Sequence, residues 1–269
     1  AGRRVRPAAR NGANERTLGV GRASMQIASR QSAHRSRARS SVPTPDPLFG
    51  HGDLASSLVV IFPLLLAYQV AVLFGAPVNG ADLVTRALYV LCGRSPAAYL
   101  LVHASLAIVF LLWMRRIGRQ GALRIDVFAP LVLESAIYGL CLGTVISLLM
   151  HHALGMSLAQ TLAHDTIVTS LGAGVHEELL FRCCGIALLT TIGLVLGLPR
   201  RPATAIAMVA TALLFALAHH VGAYGEPKLV RAVVYRTLAG LAFAMIYWYR
   251  SLGHAVYAHV IYDIALAWM

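Results

Sequence analysis

Long apolar runs, interrupted by short polar or basic connections, dominate the chain from residue 54 onward. Leu54–Ala76 contains no charged residue, and a helix of that length crosses the ~30 Å of bilayer hydrocarbon. Pro63 inside it predicts a kink rather than an end. Ala97–Met114, flanked by Arg94 and by Arg115-Arg116, predicts a second span. Val127–Met150, interrupted only by Glu134, predicts a third. Thr166–Leu198 is too long for one upright helix, so it is expected to tilt, kink at Gly185 or break before Pro199-Arg200-Arg201-Pro202 ends it. Ala203–His220, Leu229–Tyr249 and Leu252–Met269 bring the total to about seven spans. Residues 151–165 read as an interfacial connection and 222–228 as a loop. Short connections favour antiparallel neighbours, so the expected fold is all-α, a polytopic transmembrane helical bundle.

The first 45 residues differ in kind. They hold ten Arg, one Glu and no aromatic residue, and their apolar positions show no periodicity. Such a stretch cannot bury enough surface to offset its ordering entropy, so a disordered basic tail is expected over 1–45. A cytoplasmic basic arm or a gene-model extension upstream of Met25 explains the tail better than a transit peptide. The transmembrane domain is then 46–269.

Composition agrees with a membrane protein, at 58% apolar and 13% charged residues. The net charge of +12 is concentrated in the tail, and with no aromatic there to stack on bases, nucleic acid is not an expected partner. Basic residues also cluster at Arg115, Arg116, Arg119 and Arg124, and at Arg200-Arg201. By the positive-inside rule these loops and the N-terminus face the cytoplasm, across the plasma (inner) membrane. The cysteines Cys92, Cys141, Cys183 and Cys184 have no metal-binding spacing and read as buried free thiols.

Against this background the charges inside Val175-His176-Glu177-Glu178-Leu179-Leu180-Phe181-Arg182 are conspicuous. An ionisable side chain at mid-membrane costs ~3 kcal/mol on insertion scales and is retained where it has partners or chemistry. Glu178 and Arg182 are four apart, so on a helix they share a face, acid before base. Glu177 points about 100° away and lacks that counter-ion, which suits a general base. Two further pairs lie in apolar runs, Phe215 with His219 and His259 with Asp263, each also four apart. If their helices converge, Glu177, His219, His259 and Asp263 share a site able to activate water and stabilise an oxyanion. Taken singly, an intramembrane Glu–Arg pair or a lone His is as readily a structural staple; three such constellations on three spans favour function. Glu134, His103, Arg231, Arg236, His220 and His254 read as helix-end or structurally paired groups. His176-Glu177 is not a zincin motif, because position 180 is Leu180.

Glu177-Glu178-x-x-x-Arg182, Phe215-x-x-x-His219 and His259-x-x-x-Asp263 resemble, in order and spacing, the three motifs of the CPBP family. These are the CAAX prenyl protease and bacteriocin-processing intramembrane proteases, or Abi family, and the resemblance covers residues 165–269. It implies a site enclosed by helices, with Glu177 and His219 activating the attacking water. It further implies that His259 and Asp263 stabilise the oxyanion while Glu178 and Arg182 support the site. Cys183 stands where the family commonly has glycine, and Asp263 where it often has asparagine. A carboxylate donates no hydrogen bond unless protonated, so orienting His259 or ligating a metal stand as other roles for Asp263. Two His, a Glu and an Asp can hold a divalent ion such as zinc, or serve bare water activation; the cofactor is open between a metal and none.

The expected function is an intramembrane endopeptidase cleaving a membrane-associated or lipidated protein or peptide, with the bilayer as its surroundings. A non-catalytic scaffold or bacteriocin-immunity-type protein, and a proton-coupled transporter, are the alternatives. The lack of an evident internal repeat counts against the transporter.

Overall fold

The computed structural model describes residues 2, 53–74, 83–154, 167–220 and 230–268. The expected tail over 1–45, apart from Gly2, and most of the 151–165 connection and the 222–228 loop lie outside the described residues. Among the described residues there are helices and no strand. In chain order they are α1 (Leu54–Leu73), α2 (Leu83–Leu91), α3 (Pro96–Ile117), a 3₁₀ turn (Gln120–Leu123) and α4 (Ile125–Leu154). There follow α5 (Ile167–Glu177), a π-helical segment (Glu178–Gly185), α6 (Ile186–Val195), α7 (Arg200–Ala218), α8 (Val230–Tyr249) and α9 (Leu252–Trp268).

The helix ends follow local chemistry. Asp53 caps α1, its carboxylate accepting from the Ser56 amide at 3.0 Å and the Ser56 hydroxyl at 2.6 Å. Ser95 caps α3, whose first residue is Pro96, and Gly118 ends it at φ +67° after Arg115 and Arg116 in the last turn. Pro63 lies within α1 without ending it.

Of the alternatives for the fourth apolar run, a tilt, a kink at Gly185 or a break, the break does not occur. Ile167–Val195 is one continuous helical run of 29 residues, and its irregularity is the π-helical segment that closes at Gly185. There the Ile186 amide reaches back five residues to the Phe181 carbonyl instead of four. Inserting a wider turn keeps the hydrogen-bond ladder intact, which a break inside a bilayer would not.

By length and composition, α1, α3, α4, the Ile167–Val195 run, α7 and α8 can cross a membrane. The last helix takes its place differently. α9 has 17 residues, roughly 25 Å at the α-helical rise, and Ser251–Val260 are all buried. It packs against α4, α5, α1 and α8, so these form a wall around it. Two glycines permit this closeness: a Cβ on Gly139 would stand 2.6 Å from the Ala258 carbonyl oxygen, and one on Gly174 2.4 Å from Val260 Cγ2. Small residues at such crossings let helices approach where burial from water supplies no drive. The apolar remainder faces outward, as Leu101, Ile108, Val109 and Leu112 of α3 do.

The cysteines depart from expectation. Cys141 and Cys184 are exposed on the outer surface, and Cys92 and Cys183 are half-buried. On a helix surrounded by lipid, a small apolar thiol needs no burial inside the protein.

Candidate active site

Four elements bring the polar constellations together. Glu177 ends α5, Glu178 and Arg182 belong to the π-helical segment, His219 follows the last residue of α7, and His259 and Asp263 lie on α9. Glu177 is 6% exposed, Glu178 0%, Arg182 1% and His259 3%, so their charges must be met by protein groups.

For Glu178 they are met at one oxygen, Oε2 being buried with no hydrogen-bond partner among the described residues. Its Oε1 accepts from His259 Nδ1 at 2.6 Å and lies 3.1 Å from Arg182 Nη1. The Arg182 contact is an ion pair off-line for a hydrogen bond, while Arg182 Nη2 donates to the Gly240 carbonyl at 3.1 Å. The guanidinium also lies over the Phe215 ring, 4.5 Å from its centroid, and 5.5 Å from that of Phe243. The i,i+4 pairing read from the sequence is thus present despite the wider helical turn. The Glu178–His259 bond is a further contact that spacing did not announce.

Glu177 is met differently. Its Oε2 is buried without a hydrogen-bond partner among the described residues. It faces His219 Nε2 at 3.8 Å and His259 Nε2 at 3.9 Å, both too long for direct hydrogen bonds. His259 Nε2 also lies 3.5 Å from Asp263 Oδ2. His219 Nδ1 donates to the Phe215 carbonyl at 2.8 Å. A carbonyl accepts only, so the proton is on Nδ1 and the Nε2 lone pair of neutral His219 faces Glu177. The structure therefore brings together all six residues read from the sequence: Glu177, Glu178, Arg182, His219, His259 and Asp263.

Residues 159–265 match the family model described as "Type II CAAX prenyl endopeptidase Rce1-like". The match spans 107 of the chain's 269 residues, and over this segment the chain is similar to CAAX prenyl proteases. All three motifs lie inside the matched range, and together with the long apolar helices the match supports an intramembrane protease in general. Neither the curated proteins nor the solved structures gave a significant match.

A zinc ligand set needs atoms about 2.0–2.2 Å from the metal. Among the described residues no group of three or more His, Cys, Asp or Glu is placed to hold an ion. The candidate ligands Glu177, His219, His259 and Asp263 converge, but not as a preformed cage.

Helix α8 contributes what the motifs omit. The Gly240 carbonyl fixes Arg182, and the Phe243 ring stacks on the His259 imidazole with centroids 4.5 Å apart and planes 13° from parallel. A glycine and a phenylalanine in an apolar run carry no sequence signal for such roles. Of the residues read as structural, Glu134 accepts from Tyr138 and Arg250, and His254 is buried with Nδ1 2.8 Å from Ser251 Oγ.

Proposed function

We propose that the protein is a CAAX-type intramembrane protease, hydrolysing a peptide bond of a membrane-associated or lipidated substrate with Glu177 as general base. The observation that carries this is a buried Glu177 Oε2 facing two imidazole nitrogens across gaps of 3.8 and 3.9 Å. A water placed beside them donates one proton to Glu177 and one to His219 Nε2. Glu177 removes its proton as the water oxygen bonds to the scissile carbonyl carbon, giving a tetrahedral oxyanion. Collapse breaks the C–N bond, and Glu177 returns the proton to the departing amine.

The two histidines are distinguished by what meets Nδ1. His219 has a neutral carbonyl there and acts as an acceptor toward water. His259 has the Glu178 carboxylate at Nδ1 and Asp263 beside Nε2, the partners that a doubly protonated ring requires. In that form Nε2 donates to the oxyanion. Asp263 then orients and balances His259 rather than donating itself. Glu178 and Arg182 hold the ring in place. The basic loops support a cytoplasmic N-terminus, and the plasma (inner) membrane is part of the same proposal.

The test is a map of peptide termini in membrane and secreted fractions of cells carrying the wild-type chain or Glu177→Gln. Termini that vanish in the variant are expected, and they name the substrate. Identical maps, with the variant inserted at wild-type level, would overturn the assignment in favour of a scaffold.

A further inference from the structure

The Phe243 ring is fully buried and lies nearly parallel on the His259 imidazole, at 4.5 Å between centroids. It also touches the Tyr262 ring edge-on at 5.6 Å. Phe243 follows Gly240 by three residues on α8, so one helix face supplies both the carbonyl that holds Arg182 and the ring that holds His259. Phe215 also meets His259, edge-on at 5.9 Å and 70°. Hydrogen bonds at Nδ1 fix the direction of an imidazole in its own plane but leave the ring free to swing about that bond. A parallel face removes that freedom.

We infer that Phe243 is a positioning residue for the hydrolytic site: its ring fixes the plane of His259, so that Nε2 points at Glu177 and at the developing oxyanion while Nδ1 stays on Glu178. This rests on the proposed role of His259 and adds a residue outside the three motifs. The ring also lies beside the Arg182 guanidinium, so the same side chain braces both partners of Glu178. Removing the ring at similar bulk loosens the orientation of His259 without removing any ionisable group.

The experiment uses the full chain in membranes and purified in detergent, with a peptide spanning a Glu177-dependent cleavage site, or a farnesylated CAAX peptide, as probe. Phe243→Leu is expected to lower kcat roughly 10- to 100-fold, the scale of a misplaced catalytic group, with KM within about twofold. Phe243→Tyr, which keeps the ring, is expected to restore most of the rate. Phe181→Leu is the control: Phe181 touches Phe215, at 5.5 Å, and is not part of the His259 stack. Near wild-type kcat for Phe243→Leu, or equal losses for Phe243→Leu and Phe181→Leu, overturns the inference. His259→Ala separates the two levels. If it is inactive while Phe243→Leu is not, only the positioning role fails; if it is active, the role of the site itself fails.

Discussion

Two clusters in this bundle contain a glutamate, an arginine and a histidine, and they are built to opposite ends. In the first, Glu134 of α4 meets Arg250 and His254 where α8 passes into α9, and each oxygen has a donor: Tyr138 on Oε1 and Arg250 on Oε2. Its arginine is half-exposed, at 47% of the side chain, so solvent and headgroups share the charge. In the second, Glu178 Oε1 meets Arg182 and His259, while Glu178 Oε2 and Glu177 Oε2 are buried with no hydrogen bond from a described donor, and Glu177 Oε2 faces two imidazole nitrogens. A saturated carboxylate is a staple. An unsaturated one beside two imidazoles can bind a proton and release it. What sets Glu177 apart from Glu178 and Glu134 is the pair of imidazole nitrogens that face its open oxygen.

Substitutions test that contrast, beginning with the greatest effect. Glu177→Gln keeps the shape and removes the base, so turnover is expected to fall by roughly 10²- to 10⁴-fold while the folded state persists. Peptide cleavage and thermal unfolding in one detergent preparation measure both. Glu178→Ala strands a buried guanidinium and frees His259, and about 3–5 kcal/mol of stability should go with the activity. A variant as stable as wild type would show that Arg182 is held by the Gly240 carbonyl and the aromatic rings alone. Glu134→Gln at the outer cluster should leave cleavage intact and cost less than about 1 kcal/mol, because a part-exposed pair is screened. Loss of turnover there would mean that the outer cluster is linked to the site, and the contrast between the two would fail.

Much of this was legible in the chain. Hydrophobic runs locate the long helices to within a few residues, because a bilayer demands long uncharged segments, but not the short α2, Leu83–Leu91, which falls between two expected spans. Four-residue spacing linked Glu178 to Arg182 and His259 to Asp263, since both pairs are local. What escaped depends on approach between distant segments. The Glu178–His259 bond joins residues 81 apart, and Glu134 and Arg250 are 116 apart. The π-helical segment shows in the sequence as excess length and as the candidate kink at Gly185, but not as a wider turn. Phe243 and Gly240 were hidden because an apolar residue in an apolar run looks like packing until its neighbour is known. The outward-facing Cys141 and Cys184 show the reverse error: on a lipid-exposed helix, apolar character does not indicate burial.

The division of labour between the adjacent carboxylates is tested most directly by one paired measurement. Turnover of a peptide spanning a mapped cleavage site is read for purified Glu177→Gln protein, with the unfolding temperature taken on the same sample. Background turnover with wild-type unfolding is the predicted result. Wild-type turnover, or loss of activity accompanied by an equal loss of fold, would contradict a catalytic Glu177 beside a structural Glu178.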